Sequence, residues 1–330
     1  MSTDVLSDVL RAVRLTGAVY FSVDAAAPFA AEAPPAREVA PHVMPGVEHV
    51  LEYHLVSRGS CWGGIVGEEP QKLEEGDIIA FPQGDPHVLS SHPGGRGPTS
   101  LETYRKRPGT QLPFFLRQEG GDGPRTELVC GFVGFDRHPF NPLLATLPRT
   151  LKVSTREGGS WLEALARLAV TETSGRRNGG ETVLARASEL MFVEVLRRYL
   201  ATLPPEQTGW LAGLRDPFVG RALAALHDRP AEAWTVESLA KEAALSRSAL
   251  AERFTHLIGE APMQYLTRWR MQLAATLLRS RDVSVFAAAM EVGYASEAAF
   301  SRAFKKLVGV PPATWRENRA EEARTQVGAR

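Results

Sequence analysis

Two histidines and two cysteines in the N-terminal half of the chain are the side chains best suited to bind a metal. They are His54, Cys61, His87 and Cys130. Two imidazoles and two thiolates at tetrahedral separation suit zinc, which accepts sulfur ligands and has little geometric preference of its own. The residue types therefore predict a candidate zinc site. If zinc does not bind here, the predicted ligand is an effector of unknown chemistry.

A β-hairpin would bring two of these residues together. If Arg58 and Gly59 form its two-residue loop, Val56 pairs with Cys61. His54 and Cys61 then lie diagonally on one face, within side-chain reach. We expect the other two ligands to join them from neighbouring strands.

The two cysteines also allow two other interpretations. Cys61 and Cys130 are either small buried core residues, with histidines that form local hydrogen bonds, or a pair of thiols that senses oxidants. No CxxC spacing supports the metal site. A structural disulfide is not expected, because cytoplasmic proteins keep their thiols reduced.

The elements that position these side chains are short strands. A helix is predicted over residues 4–14, and the strand-like segments that follow are separated by Gly, Pro and Asp clusters. They span residues 17–22, 47–57, 60–66, 71–73, 77–81, 87–90 and 126–133. Short strands with frequent turns predict a β-sandwich or barrel. Residues 93–124, rich in Gly, Pro and charge, are predicted to form a long surface loop or a partly disordered excursion.

A second set of candidate residues lies in the last third of the chain, where the sequence repeats with an offset of fifty. The aligned pairs are Ser246 and Ser296, Leu250 and Phe300, Phe254 and Phe304, Gly259 and Gly309, Pro262 and Pro312, and Tyr265 and Trp315. A regular repeat indicates one structural unit used twice. Each copy predicts a short helix, a turn and a second helix that begins at a serine cap and ends at a glycine.

The second helix of each copy combines a buried stripe with a polar, partly basic face. Two helices joined by a tight turn, with such a face on the second, are typical of a helix-turn-helix that enters the DNA major groove. The candidate DNA-binding residues are Ser246, Arg247, Ser248, Glu252, Ser296, Glu297, Ala298, Ser301, Arg302, Lys305 and Lys306. Lys305 and Lys306 lie furthest along their helix, and we expect them to contact phosphate.

These motifs resemble the signature of a known family. Val292-Gly293-Tyr294, the run Phe300–Lys306, and Gly309–Pro312 with Trp315-Arg316 are similar to the AraC/XylS family of bacterial transcription regulators. The resemblance covers about residues 216–319. It implies that a helix over about Pro262–Arg279 joins the two units, and that the partners are double-stranded promoter DNA and RNA polymerase.

A second resemblance concerns the predicted strands. The segment Glu75–His87 is similar to the second conserved motif of cupin barrels, in which a turn, a strand and Pro-x-Gly place a histidine in the barrel mouth. The first cupin motif, with paired histidines and a glutamate, is absent. The resemblance implies a cupin-type sensor domain that responds to a small-molecule or redox effector.

Two helical segments separate these regions. Residues 161–173 and 181–202 have helical periodicity, and residues 184, 187, 188, 191, 195 and 198 form one stripe on the second. Similar helices dimerise cupin-bearing members of the family, so we expect a homodimer; packing onto the barrel is the alternative. The predicted α+β fold therefore has a cupin-like β-barrel or sandwich (1–150), a helical dimerisation linker (151–208) and an all-α domain with two helix-turn-helix units (209–330).

Charge and hydropathy bear on the possible partners and the location of the protein. The chain carries 38 Lys and Arg against 38 Asp and Glu, so net charge alone does not indicate nucleic-acid binding. No apolar stretch is long enough to span a bilayer, and no signal peptide is recognisable, which predicts a cytoplasmic protein without a membrane partner. The predicted function is sequence-specific transcription regulation without enzymatic activity. The alternative is a cupin metalloenzyme, or a redox or metal sensor, fused to a DNA-binding module.

Overall fold

The structure is a computed structural model, and it describes residues 4–105, 110–118, 121–136, 139–156, 161–175, 177–204, 206–279 and 283–319. Its strands are β1 (Thr16–Ala26), β2 (Ala30–Ala33), β3 (His49–Arg58), β4 (Ser60–Ile65), β5 (Gln71–Glu74), β6 (Asp77–Phe81), β7 (His87–Ser90), β8 (Phe114–Gln118), β9 (Arg125–Phe135) and β10 (Leu151–Ser154). Its α-helices are α1 (Val5–Ala12), α2 (Ala36–Val43), α3 (Trp161–Gly175), α4 (Gly180–Thr202), α5 (Trp210–Arg215), α6 (Val219–Asp228), α7 (Val236–Glu242), α8 (Arg247–Ile258), α9 (Pro262–Leu278), α10 (Val285–Glu291) and α11 (Glu297–Val308).

The chain forms two compact units whose borders differ from the predicted domains. One unit combines residues 15–136 and 147–202, and the other combines 1–14, 137–146 and 203–330. Helix α1 contacts α6 and α9, so it belongs with the C-terminal helices rather than with the strands. Helices α3 and α4 belong with the strands, because α4 packs along β1 and β9.

The strand-rich unit is built from two sheets that enclose an apolar core, as the sequence predicted. One sheet has six strands in the order β10-β6-β3-β9-β1-β8, and the other has four in the order β2-β7-β4-β5. Alternate residues of β3 point into the core: Val50 and Val56 belong to it, together with Phe81 and Leu128 from neighbouring strands. This alternation is the period of two that a half-buried strand requires.

The predicted hairpin at Arg58-Gly59 is wrong. Strand β3 pairs with β6 and β9, whereas β4 pairs with β5 and β7 in the other sheet. Val56 lies opposite Leu128, and Cys61 lies opposite Leu73. The chain changes sheets at Gly59, so His54 and Cys61 lie in different sheets and not on one hairpin face.

The predicted loop over residues 93–124 is also partly wrong. It contains a short 3-10 helix, Leu101–Tyr104, and the strand β8, which pairs in parallel with β1. Strand β8 lies at the edge of the six-stranded sheet and has a neighbour on only one side. A five-residue edge strand carries too little apolar alternation to be recognised between Gly- and Pro-rich segments.

The stripe predicted on α4 packs against the strands of its own unit. Leu184, Ala187, Ser188, Met191 and Val195 are buried. The Tyr53 and Ser188 hydroxyl oxygens lie 2.6 Å apart, and the Gly17 amide donates to Glu189 at 3.1 Å. A side chain at Gly17 would collide with α4, because its Cβ atom would lie only 2.4 Å from the Ala185 carbonyl oxygen. Barrel packing thus accounts for this stripe.

The other unit ties two distant chain segments to its helices. The Gln272 side chain of α9 donates to the Ala12 carbonyl at 2.8 Å and accepts from the Phe140 amide at 3.0 Å. Gln272 is buried, so both of its hydrogen bonds lie in a dry environment where an unpaired amide would be costly. Among the described residues, no helix is long and apolar enough to cross a membrane.

Candidate functional site

The first helix-turn-helix consists of α7 and α8. Thr235 caps α7 by accepting from the Ser238 amide, and Ser246 caps α8 by accepting from the Ala249 amide at 3.2 Å. Gly259 ends α8 with φ of 85°, a conformation that residues with a Cβ avoid. Leu250 and Phe254 are buried on one side of α8, which fixes the opposite side as its exposed face.

The second helix-turn-helix, α10 and α11, repeats the same construction. Ser284 and Ser296 cap the two helices, and Gly309 ends α11 with φ of 91°. Phe300 and Phe304 are buried under α11. Helix α9 contacts both α8 and α11 and therefore joins the two helix-turn-helix motifs, as the family resemblance implied.

The exposed face of α8 carries the residues predicted there. Ser246, Arg247, Ser248 and Glu252 are all exposed. The Arg247 guanidinium forms an ion pair with Glu237 of α7 at 2.9 Å, so part of its charge is already compensated.

Arg253, also on α8, takes a structural role. Its side chain donates to the Asp216 carboxylate at 2.9 Å and 2.5 Å. Asp216 in turn accepts from the Phe218 and Val219 amides at the start of α6. The pKa of Asp216 is lowered, because the bonds from Arg253 and from these amides favour the ionised carboxylate and outweigh its burial. Arg253 thus anchors α8 to α6.

The exposed face of α11 is more basic. Glu297, Ala298, Arg302, Lys305 and Lys306 are exposed, as is the cap Ser296, and Ser301 is half-buried. Within the described part of the chain, Arg302, Lys305 and Lys306 form no ion pair. Their charges are therefore available to an anionic partner such as the phosphates of DNA.

A buried aromatic cluster packs against α8, where the ring centroids of Phe254 and Tyr265 lie 5.8 Å apart. Tyr265 of α9 accepts a hydrogen bond from the Trp210 indole at 2.8 Å and lies 2.8 Å from His227 Nε2. The His227 ring stacks on Trp269 with ring centroids 4.1 Å apart. Burial lowers the pKa of His227 to about 3, so this imidazole is neutral at physiological pH.

A compact polar cluster lies between the sheets of the other unit. His54 Nε2 lies 2.7 Å from His87 Nε2, and the Glu52 carboxylate lies 4.0 Å from the first and 3.7 Å from the second. Glu52 and His54 point to the same face of β3 because they are two residues apart. His87 comes from β7 in the facing sheet and stacks on Phe81.

The hydrogen bonds define the tautomers of this cluster. His87 Nδ1 lies 3.0 Å from the Asp85 carbonyl, which can only accept, so Nδ1 carries the proton. His87 Nε2 then accepts from His54 Nε2–H. His54 Nδ1 is left as a buried acceptor without a partner among the described residues.

Burial keeps all three side chains neutral when nothing charged faces them. It lowers the pKa of His54 well below its usual value and that of His87 to about 4, and it raises the pKa of Glu52 to about 8. In each case desolvation is the largest cause, because burial penalises the charged form.

The cysteines predicted as ligands do not belong to this cluster. Among the described residues, Glu52, His54 and His87 form the group of potential ligands whose atoms lie within 4.8 Å of one another. Cys130 lies opposite His54 across β3 and β9, and both Cys130 and Cys61 are buried in the apolar core. Burial raises the pKa of Cys61 to about 12 and that of Cys130 well above its usual value, so both are poor nucleophiles.

A cavity of about 210 Å³ opens next to the cluster. Glu52, His54 and His87 line it at one place, and apolar side chains such as Phe21, Phe29, Leu116 and Leu128 line much of the remainder. An apolar space with a few convergent polar groups is the usual form of a small-molecule site.

Sequence reasoning missed Glu52. The spacing Glu52-x-His54 on a strand places both side chains on one face, and this signal was available from the period of two. A glutamate inside an otherwise apolar strand is a further signal, because carboxylates are almost never fully buried without a partner.

Comparison with protein families matches both units. A cupin family model matches residues 4–201, and a helix-turn-helix domain model matches residues 239–318. The cupin match spans more than half of the chain and includes the Glu52–His54–His87 cluster. The helix-turn-helix match includes both recognition helices, α8 and α11.

The relatives are transcription regulators. A putative AraC-like transcription regulator from Streptomyces lividans is 36% identical over 276 residues, 82% of this chain and 87% of that protein. An uncharacterized HTH-type transcriptional regulator from Haemophilus influenzae is 31% identical over 266 residues, 81% and 86% of the two chains. The solved DNA-binding domain of AdpA with a target DNA is 35% identical, covers 33% of this chain and 96% of that chain, and has a TM-score of 0.30. The chain therefore belongs to the AraC family of DNA-binding transcription regulators, with a cupin N-terminal domain and a helix-turn-helix C-terminal domain.

Proposed function

We propose that this regulator reads promoter DNA with α8 and α11, and that its activity is controlled by a small molecule bound in the cupin cavity. The observation that carries the proposal is the cavity itself, in which the buried Glu52 carboxyl faces apolar walls without a hydrogen bond to any described residue. A buried polar group without a partner costs about 1–3 kcal/mol unless a ligand satisfies it.

On the DNA side, side chains at different positions along the recognition helices have different tasks. Arg247, Glu252 and Arg302 are long side chains in the first half of their helices, where recognition helices contact base edges. Lys305 and Lys306 lie one turn further along and contact phosphate. Phosphate contacts supply affinity that is independent of sequence, whereas base contacts supply the discrimination.

The effector acts through linkage. A ligand changes DNA affinity only to the extent that it binds the DNA-competent conformation more tightly, or less tightly, than the other conformation. A change of 1–3 kcal/mol, typical of such coupling, corresponds to a change of about 5- to 150-fold in DNA affinity. RNA polymerase is a further predicted partner, tested by transcription in vitro from the bound promoter.

The protein acts as a homodimer through α3 and α4. Trp161 and Leu168 are exposed on α3, and Val183 and Leu190 are exposed on α4. Each pair is seven residues apart and therefore lies on one side of its helix. Large apolar side chains that recur on the outer faces of two packed helices suit burial against a second copy of the chain.

Zinc binding stays a prediction, with His54 and His87 as before and Glu52 in place of the two cysteines. If an ion binds, Glu52, His54 and His87 would hold it, and neither cysteine would contribute. The donor set fits zinc poorly, because the two Nε2 atoms are 2.7 Å apart. Two nitrogen ligands of one tetrahedral zinc lie about 3.3 Å apart, given bonds of about 2.0–2.1 Å. Metal analysis with a substrate screen tests this prediction together with the metalloenzyme alternative.

Footprinting of the gene's own upstream region tests the DNA-binding part of the proposal. We expect protection of a defined tract that survives competitor DNA. A panel of small molecules, screened first by thermal shift and then for an effect on this footprint, tests the effector part. Binding that is equal on all sequences and fully suppressed by salt would refute specific recognition, and a footprint that no stabilising molecule alters would refute the effector role.

A further inference from the structure

The cavity also indicates the chemical class of its ligand. Building on the proposed effector function, we infer that the effector is a small organic amine: its ammonium group pairs with the Glu52 carboxylate, and its apolar body fills the space between the sheets. The inference depends on three features of the cavity, namely the unpartnered carboxyl, the charges along its wall and its size.

Glu52 is the group that a ligand must satisfy. Its side chain is buried and lines the cavity, yet the two histidine nitrogens beside it lie at 3.7 and 4.0 Å. These distances exceed those of a hydrogen bond. An ammonium group carries three N–H donors, and its positive charge would favour the ionised form of the carboxyl.

The charges along the wall select against an anionic ligand. Among its described residues, the lining contains two glutamates and neither lysine nor arginine. The other glutamate, Glu32, is already bound by Arg96 through two hydrogen bonds of 2.7 and 2.9 Å. Glu52 is thus the carboxyl left for a ligand's charge.

The size of the cavity and its apolar walls favour an organic ligand. A cavity of about 150 Å³ accommodates benzene, so one of about 210 Å³ accommodates roughly eight non-hydrogen atoms. Phe21, Phe29 and Tyr104 line it with aromatic rings, whose faces attract an ammonium group. A bare metal ion would use the polar end and leave these apolar walls without contacts.

Three probes of nearly equal shape test the ammonium requirement on the full-length wild-type protein. They are 2-phenylethylamine, 2-phenylethanol and phenylacetate, each titrated by calorimetry and by thermal shift. We expect the amine to bind at least about tenfold more tightly than the alcohol, because only the amine forms a charge-assisted hydrogen bond with Glu52. We expect no binding of phenylacetate. Zinc chloride alone is titrated in parallel.

A matched pair of variants then locates the interaction. Glu52→Gln keeps the shape of the side chain and removes its charge, so it should abolish the preference for the amine over the alcohol. Glu127→Gln makes the same change at an exposed carboxylate outside the cavity and should leave the preference intact. If Glu52→Gln does not fold, the comparison of the three probes on the wild-type protein still tests whether the ligand needs an ammonium group.

The outcomes separate this inference from the proposed function. If the alcohol or phenylacetate binds as tightly as the amine, and filling the cavity by Ala33→Leu abolishes that binding, the amine inference fails while the effector cavity stands. If zinc stabilises the protein and the amine does not, the site is a metal site and the inference is overturned. If the amine binds but leaves the promoter footprint unchanged, the ligand class is right and the proposed regulatory role fails.

Discussion

Removing the positive charge of Lys305 and Lys306 should reduce the salt dependence of DNA binding by a calculable amount. Both side chains are exposed on α11 and pair with no acidic residue in the described ranges, so each charge is free to displace a counterion from DNA. Each phosphate neutralised contributes about 0.9 to the slope of log K against log salt. The double change to alanine should therefore lower the slope by about 1.8 for each bound chain.

The expected effect on affinity is large enough to measure. Between about 50 and 200 mM salt, log salt changes by about 0.6, so a slope difference of about 1.8 corresponds to a factor of about 10. The wild type should lose about ten times more affinity than the double variant over this range, and about a hundred times more if two chains bind one DNA. Fluorescence anisotropy with a labelled promoter fragment at several salt concentrations gives both slopes.

Two comparisons make the experiment decisive. Lys72→Ala removes a lysine of the strand-rich unit that lies 3.7 Å from Glu74, and its slope should equal that of the wild type. The Lys305 and Lys306 variant should lose affinity for random DNA as well as for the promoter. An unchanged slope would refute the phosphate assignment, and a loss confined to the promoter would indicate that these lysines contact bases instead.

Three further predictions follow from single residues. Arg302→Ala should weaken promoter binding by about 1–3 kcal/mol but random DNA far less, as measured by competition; an equal loss on both would indicate a phosphate contact. Leu190→Asp should convert the proposed dimer to a monomer in sedimentation, whereas a dimer that persists would place the interface elsewhere. His227, whose Nδ1 lies 3.9 Å from Asp8, has its pKa lowered to about 3, so the unfolded chain takes up a proton first as pH falls. Stability should therefore fall below about pH 6.5 by up to about 1.4 kcal/mol per pH unit, and in His227→Gln, followed by Trp269 fluorescence, this contribution should disappear.

The recognition helices could be predicted because their signals are local. The serine that caps each helix, the buried stripe and the glycine that ends it all lie within about fourteen consecutive residues, and the repeat supplies a second copy as an internal check. Phe254 and Phe304 are buried, as the stripe required, while Arg302 on the opposite side is exposed.

The Glu52–His54–His87 cluster depends on pairing between strands that are distant in sequence, and the local pattern predicted one of these pairings wrongly. The sequence identified His54 and His87 as neighbours, and the structure brings them together across two sheets. It also suggested Cys61 as a partner through a hairpin that does not form, because consecutive strands need not pair with each other when the chain changes sheets. The third member, Glu52, shares one face of β3 with His54, and the period of two in a strand was enough to place it there.

The order of segments along the chain has a practical consequence for dissecting this protein. Residues 4–14 and 139–146 belong to the same unit as α5–α11, so neither unit is one continuous stretch of polypeptide. A C-terminal fragment that starts after α4 would lose the Ala12 carbonyl and the Phe140 amide, and both ends of the Gln272 side-chain amide would be left to solvent. Truncation experiments on the isolated C-terminal region would therefore report on a protein that lacks these contacts, and transferring the strand-rich unit to another regulator requires four cuts rather than one.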